Sequence, residues 1–179
     1  MKFKLMSGIA AAVLAVATPG IAAAQDAHAT PALQLAKDGL QLRDMESGQV
    51  DTVGFGTSQD DTVQFIITAL GDPTGSSMNE ECGAGPLGQV DFQGDLKLYF
   101  KAGEFAGWEV GDGSGFSAEN GIRIGMTSDQ LMAATQEMEG EENSIGYEWN
   151  ADGFSGLLTE GGPAGTITNI WAGTTCIMR

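Results

Sequence analysis

The chain has one histidine, two cysteines and eight Lys plus Arg residues, against 24 Asp plus Glu, in 179 residues. The histidine, His28, sits in an Ala, Gln and Pro-containing stretch close to the N-terminus. Ser-His-Asp triads, Cys-His pairs and His-built zinc or non-haem iron sites all need imidazole in the folded domain. Their absence leaves no catalytic, metal-ligating or cofactor-binding residue to assign, and no enzyme is expected. Carboxylates are abundant, but among 24 of them no pair is marked out for glycoside hydrolysis. The shortage of positive charge gives a net charge of −16. Such a field repels phosphate, so nucleic acid and anionic lipid are excluded as partners, while cations and basic proteins are admitted. Beyond the N-terminus no stretch holds 18 apolar residues, and no stable membrane anchor is expected.

The first residues read MKFKLMSGIAAAVLAVATPGIAAAQ. Lys2 and Lys4 form a short positive region, Ile9 to Ala17 are apolar, and Pro19-Gly20 then break the helix. Ala22 to Ala24 supply small residues for a signal peptidase, so Met1 to about Ala24 reads as a cleavable secretory signal peptide. Cleavage removes two lysines and no acid, which moves the net charge from −16 to −18. No cysteine lies near the cut, so the lipid acceptor of a bacterial lipoprotein is missing. The expected location is the bacterial periplasm or the exterior.

Cys82 and Cys176 are the only cysteines. An even count in an exported chain predicts a disulfide between them, and no C-x-x-C spacing marks a redox-active motif.

Residues 25–38 show little apolar periodicity and read as a flexible leader. From Gly39 the chain repeats a pattern. In the first half the strand-like DTVGF precedes Ser58, which caps a helix whose N3 residue is Asp61. Val63, Ile66, Ile67 and Leu70 form its apolar stripe, and Gly71 ends it. In the second half Ile122 and Ile124 alternate as in a strand, and Thr127 with Gln130 forms a capping box. Leu131, Ala134, Thr135 and Met138 follow, and Gly140 is expected to close a helix of equal length. Each helix precedes three short strands: Val90 to Phe92, Leu96 to Phe100 and Phe105 to Val110, then Tyr147 to Trp149, Phe154 to Thr159 and Ile167 to Trp171. Gly- and Asp-bearing turns separate them. The expected fold is α+β: two diverged helix-then-three-strand antiparallel repeats over 39–110 and 117–179, joined by a linker at 111–116, each helix packed on a short sheet. Residues 75–88 read as a loop that carries Cys82.

Glu148, Asn150, Asp152 and Gly153 follow the opening rhythm of a calcium loop. Thr159 stands where the closing glutamate belongs, and a hairpin turn between Trp149 and Phe154 is the expected structure. The run Glu137, Glu139, Glu141 and Glu142 crowds acid at a helix C-terminus, where the macrodipole disfavours it. Trp108, Trp149 and Trp171 all fall in strands. Any of them left exposed on a sheet face would be an anchor for a partner.

The segment IRIGMTSDQLMAATQEMEG, with VGFGTSQDDTVQFIITALGDP as its diverged copy, resembles the helix-and-strand repeat of the β-lactamase inhibitor protein family and of the SmpA/OmlA-like outer-membrane assembly lipoproteins. The resemblance spans about 20 residues in each half. It implies the repeated architecture and a protein-binding role, and it transfers no functional residue. The expected function is therefore an exported, soluble, non-catalytic binding module of the cell envelope with a protein partner, one with basic character. The alternatives are a carboxylate-based hydrolase of envelope polysaccharide and a structural envelope protein without a discrete ligand.

Overall fold

Leu33, Leu35, Leu40 and Leu42 alternate with polar residues, and alternation of this kind buries one face of a strand pair. They lie on β1 (Ala32–Ala36) and β2 (Gly39–Arg43), an antiparallel hairpin extended by β3 (Val50–Gly54). This structure, a computed structural model, describes residues 31–177. Residues 1–24, expected to be a signal peptide, and His28 lie outside the described residues. Part of the expected leader is strand β1, because Leu33 and Leu35 find apolar partners in the core.

After β3 comes α1 (Gln59–Leu70). The Ser58 hydroxyl accepts the Asp61 N–H at its start, and Gly71, at φ 74°, ends it as the sequence indicates. Four strands follow: β4 (Gly75–Asn79), β5 (Leu87–Phe92), β6 (Leu96–Lys101) and β7 (Glu104–Val110). The chain then crosses to β8 (Ser117–Ala118), which pairs in parallel with β1, and enters α2 (Ser128–Ala134) through the Thr127–Gln130 capping box. Four more strands complete it: β9 (Glu139–Asn143), β10 (Gly146–Ala151), β11 (Phe154–Leu158) and β12 (Ile167–Gly173).

The expectation of an α+β fold is corrected. The described residues are mostly β, with 12 strands in two sheets and two short helices. One sheet has four strands, in the order β3-β2-β1-β8. The other has eight, in the order β4-β5-β6-β7-β12-β11-β10-β9. Two misreadings, besides that of β1 as leader, produced the error. Gly75–Asn79, read as loop, pairs along its whole length with β5, although GSSMN has no apolar signature. Residues 139–143, read as the end of a helix closed at Gly140 and the residues just beyond it, form β9 against β10. The second helix stops at Ala134 because further turns would have stacked Glu137, Glu139 and Glu141 onto its negative pole. Ile122 and Ile124 lie outside any strand, although Ile122 is fully buried.

Apolar content sets the order of strands in the large sheet. The outermost strands, GSSMN and EGEEN, are the most polar, and acid on β9 blunts that edge against pairing with another chain. The central pair, β7 and β12, joins the halves through Val110 opposite Ile170 and Trp108 opposite Ala172. Inward residues of all the inner strands, the buried side of the small sheet, Ile66 of α1 and Leu131 of α2 share one core. At about 1.5–3 kcal/mol for each large apolar side chain, that core is the main driving force for the fold. Trp108 spans its thickness, its Nε1 donating to the carbonyl of Ala36 on β1 at 2.9 Å. Gly156 leaves room for the neighbouring Trp149 indole, since a Cβ there would stand 2.5 Å from its Nε1.

Hairpin geometry matches the turn residues. Ala102-Gly103 and Asp152-Gly153 both take positive φ and connect β6 to β7 and β10 to β11 in two-residue turns. The calcium-like rhythm from Glu148 to Gly153 thus belongs to a hairpin. Among the described residues, no three His, Cys, Asp or Glu side chains are grouped to hold a metal ion.

Candidate interaction face and thiol cluster

Because the helices and the small sheet join the core on the inner face of the large sheet, the other set of alternating residues points outward. Strand pairing lines these residues up in rows. One row runs Asp91, Lys97, Glu109, Trp171 and Ser155, and a second runs Gln89, Tyr99, Gly107 and Gly173. A third places Asn169, Leu157, Glu148 and Glu141 side by side.

Glu109 is the hub of this face and is only 8% exposed. The Tyr99 hydroxyl donates to its Oε2 at 2.7 Å, the Asn169 amide donates to its Oε1 at 3.3 Å, and Lys97 Nζ lies 3.6 Å from the same oxygen. Both carboxylate oxygens are therefore engaged, which suits a structural anion better than a hydrolytic acid or nucleophile. Glu148, also buried, accepts from the Asn143 amide at 2.7 Å. Glu139 and Glu141 continue the acid toward the β9 edge and are exposed. Lys97 and Lys101 are the basic side chains on the same strands, and Lys101 donates to the Ala84 carbonyl at 2.9 Å.

The tryptophans separate. Trp108 and Trp149 are fully buried on the inner side and are out of reach of a partner. Trp171 stands on the outer face but is 5% exposed, lying along a groove of about 740 Å³ between the turn at Cys82 and the chain after Gly173. Another groove, of about 440 Å³, lies between the segment after α2 and the β10–β11 turn and is bordered by Glu137, Glu139 and Asp152.

At one end of the outer face, Cys82, Leu87, Tyr99 and Cys176 form a small cluster of their own. The expected disulfide is absent: both cysteines are free thiols. Each has a polar partner, since Cys82 Sγ donates to the Thr175 carbonyl at 3.9 Å and the Asn79 amide donates to Cys176 Sγ at 3.1 Å. The tail reaches this cluster because residue 107 is glycine; a side chain there would strike Thr174.

Burial, followed by its interaction with Cys82, pushes the Cys176 thiol from 9.0 up to about 11. Burial and the adjacent Glu109 charge raise the Tyr99 hydroxyl well above its ordinary range. Both shifts favour the protonated group in the folded state. Their contribution is fully present below the unfolded values and is lost as pH rises through the folded ones. In reducing buffer, the melting temperature is expected to hold up to pH 9.0 and to fall towards about 11, with Tyr99→Phe reducing the fall. A flat melting profile across that window would contradict the assignment.

The outer face was half legible in the sequence. Lys97 and Tyr99 alternate with Leu96, Leu98 and Phe100, and Glu109 sits between Trp108 and Val110, so their side of the strand could be read. Asn169 as a partner of Glu109 could not, because the contact needs the pairing of β7 with β12. Against this geometry, no protein-family model, no curated protein and no solved structure matches the chain.

Proposed function

We propose that this protein is an exported, non-catalytic binding module of the bacterial cell envelope, and that it engages a protein partner with a basic surface through the outer face of its eight-stranded sheet. Export follows from the signal-like N-terminus. The observation that carries the binding reading is the charge of that face, where Asp91, Glu109, Glu139, Glu141 and Glu148 stand against Lys97 and Lys101. Opposite charge steers encounter and discriminates against acidic partners. Leu157, half-buried, lies among these acids and supplies apolar contact area. The engagement of both Glu109 oxygens speaks against polysaccharide hydrolysis at this site.

Glu139 and Glu141 are exposed, so reversing them leaves the core intact. The test is to purify a partner captured from envelope extract and to measure its association with the native chain and with the Glu139→Lys/Glu141→Lys double variant. Association is expected to slow at least ~10-fold in the variant, and to slow in the native chain as salt rises. Capture that is indifferent to both changes would remove the outer face as the binding surface.

A further inference from the structure

We propose that Cys82 and Cys176 are a redox modification site: a thiol pair, held side by side in the reduced protein, that a low-molecular-weight disulfide such as oxidised glutathione converts to an intramolecular disulfide. The inference goes beyond partner binding and does not depend on it.

Three observations support it. The two thiols pack into one small cluster with Leu87 and Tyr99. Their other contacts hold them at the same spot from both ends of the chain, Cys176 through Asn79 of β4 and Cys82 through the Thr175 carbonyl of the tail. Access comes from the groove of about 740 Å³, which Cys82 lines together with Trp171, Thr174 and Thr175.

The step balances as two thiol–disulfide exchanges. The Cys82 thiolate attacks one sulfur of oxidised glutathione and a glutathione thiolate leaves. The Cys176 thiolate then attacks Cys82 Sγ of the mixed disulfide, the protein S–S bond forms, and the second glutathione thiolate leaves. The protein loses two electrons and two protons, and the oxidant gains them as two molecules of glutathione. Closure ties the chain after β12 to the turn after β4 and shuts a loop of roughly 94 residues. A loop of that length restricts the unfolded chain strongly, so the closed form is expected to melt about 10 °C higher.

The experiment uses the full chain, reduced with dithiothreitol and transferred into oxidised glutathione. Intact mass, alkylation of free thiols and melting temperature are then read. The expected product is lighter by two hydrogens, resists alkylation, melts higher and returns to the starting state on reduction. Cys176→Ser is expected to stop at a glutathione adduct on Cys82 with no gain in melting temperature. If that variant does not fold, the wild-type measurements decide alone. A wild-type chain that remains a dithiol in excess oxidant, keeps a glutathione adduct, or cross-links to a second copy overturns the proposal.

Discussion

Trp108→Ala is expected to destabilise the protein by about 4 kcal/mol, read as a drop in the urea midpoint at unchanged slope. Three losses add up at this residue. The indole is fully buried at the centre of the large sheet, so truncation opens a cavity among Phe154, Ile170 and their neighbours that rigid strands cannot collapse. Its Nε1 is the donor to the Ala36 carbonyl, and truncation removes that buried bond. The bond also joins the two sheets, so its loss loosens the packing of the N-terminal hairpin. Trp108→Phe separates these terms. It keeps most of the volume and drops the donor, and is expected to cost about half as much. If the alanine variant lost under about 1 kcal/mol, Trp108 would not be the link between the sheets.

Glu109→Ala is the next largest expected effect, at about 3 kcal/mol, and it arises on the opposite face. Most of the cost comes from the buried Tyr99 hydroxyl, which would lose its acceptor. Lys97 contributes little, because its side chain is a third exposed and water replaces the carboxylate there. Glu109→Gln keeps an oxygen for Tyr99 and should retain most of the stability. A double-mutant cycle with Tyr99→Phe isolates the shared bond, with a coupling of about 2 kcal/mol expected. Additive single effects would mean that the two groups act independently.

The contrast between these residues explains how far the sequence could be read. Local signals held wherever the contacts are local. The Ser58 and Thr127 caps, Gly71 at a helix end and the Asp152-Gly153 turn all depend on neighbours within a few residues, and all are found in place. The six strands with alternating apolar residues were also found, because alternation records one buried face. β1 was missed although Leu33 and Leu35 alternate, and β4 and β9 were missed because they bury almost nothing and are strands only where β5 and β10 offer them hydrogen bonds. A polar edge strand has no hydrophobic period, so nothing in GSSMN or EGEEN distinguishes it from a loop or a frayed helix. Helix length failed for a related reason: the glycines at 71 and 140 look alike, yet acid before the second brought that helix to an early end.

The same division runs through the candidate site. By itself the sequence determined the acidic balance, the scarcity of histidine, the positions of the caps and turns, and which residues of each inner strand face inward. Tertiary structure decided that the two four-strand runs meet at β7 and β12 and form one sheet of eight. It also placed Asn169 beside Glu109, and set Cys82 and Cys176 in one cluster as thiols. The physical reason is range. Caps, turns and alternation are settled over a few residues along the chain, whereas strand pairing and side-chain clusters are settled by which surfaces can be buried together, however far apart in sequence they lie.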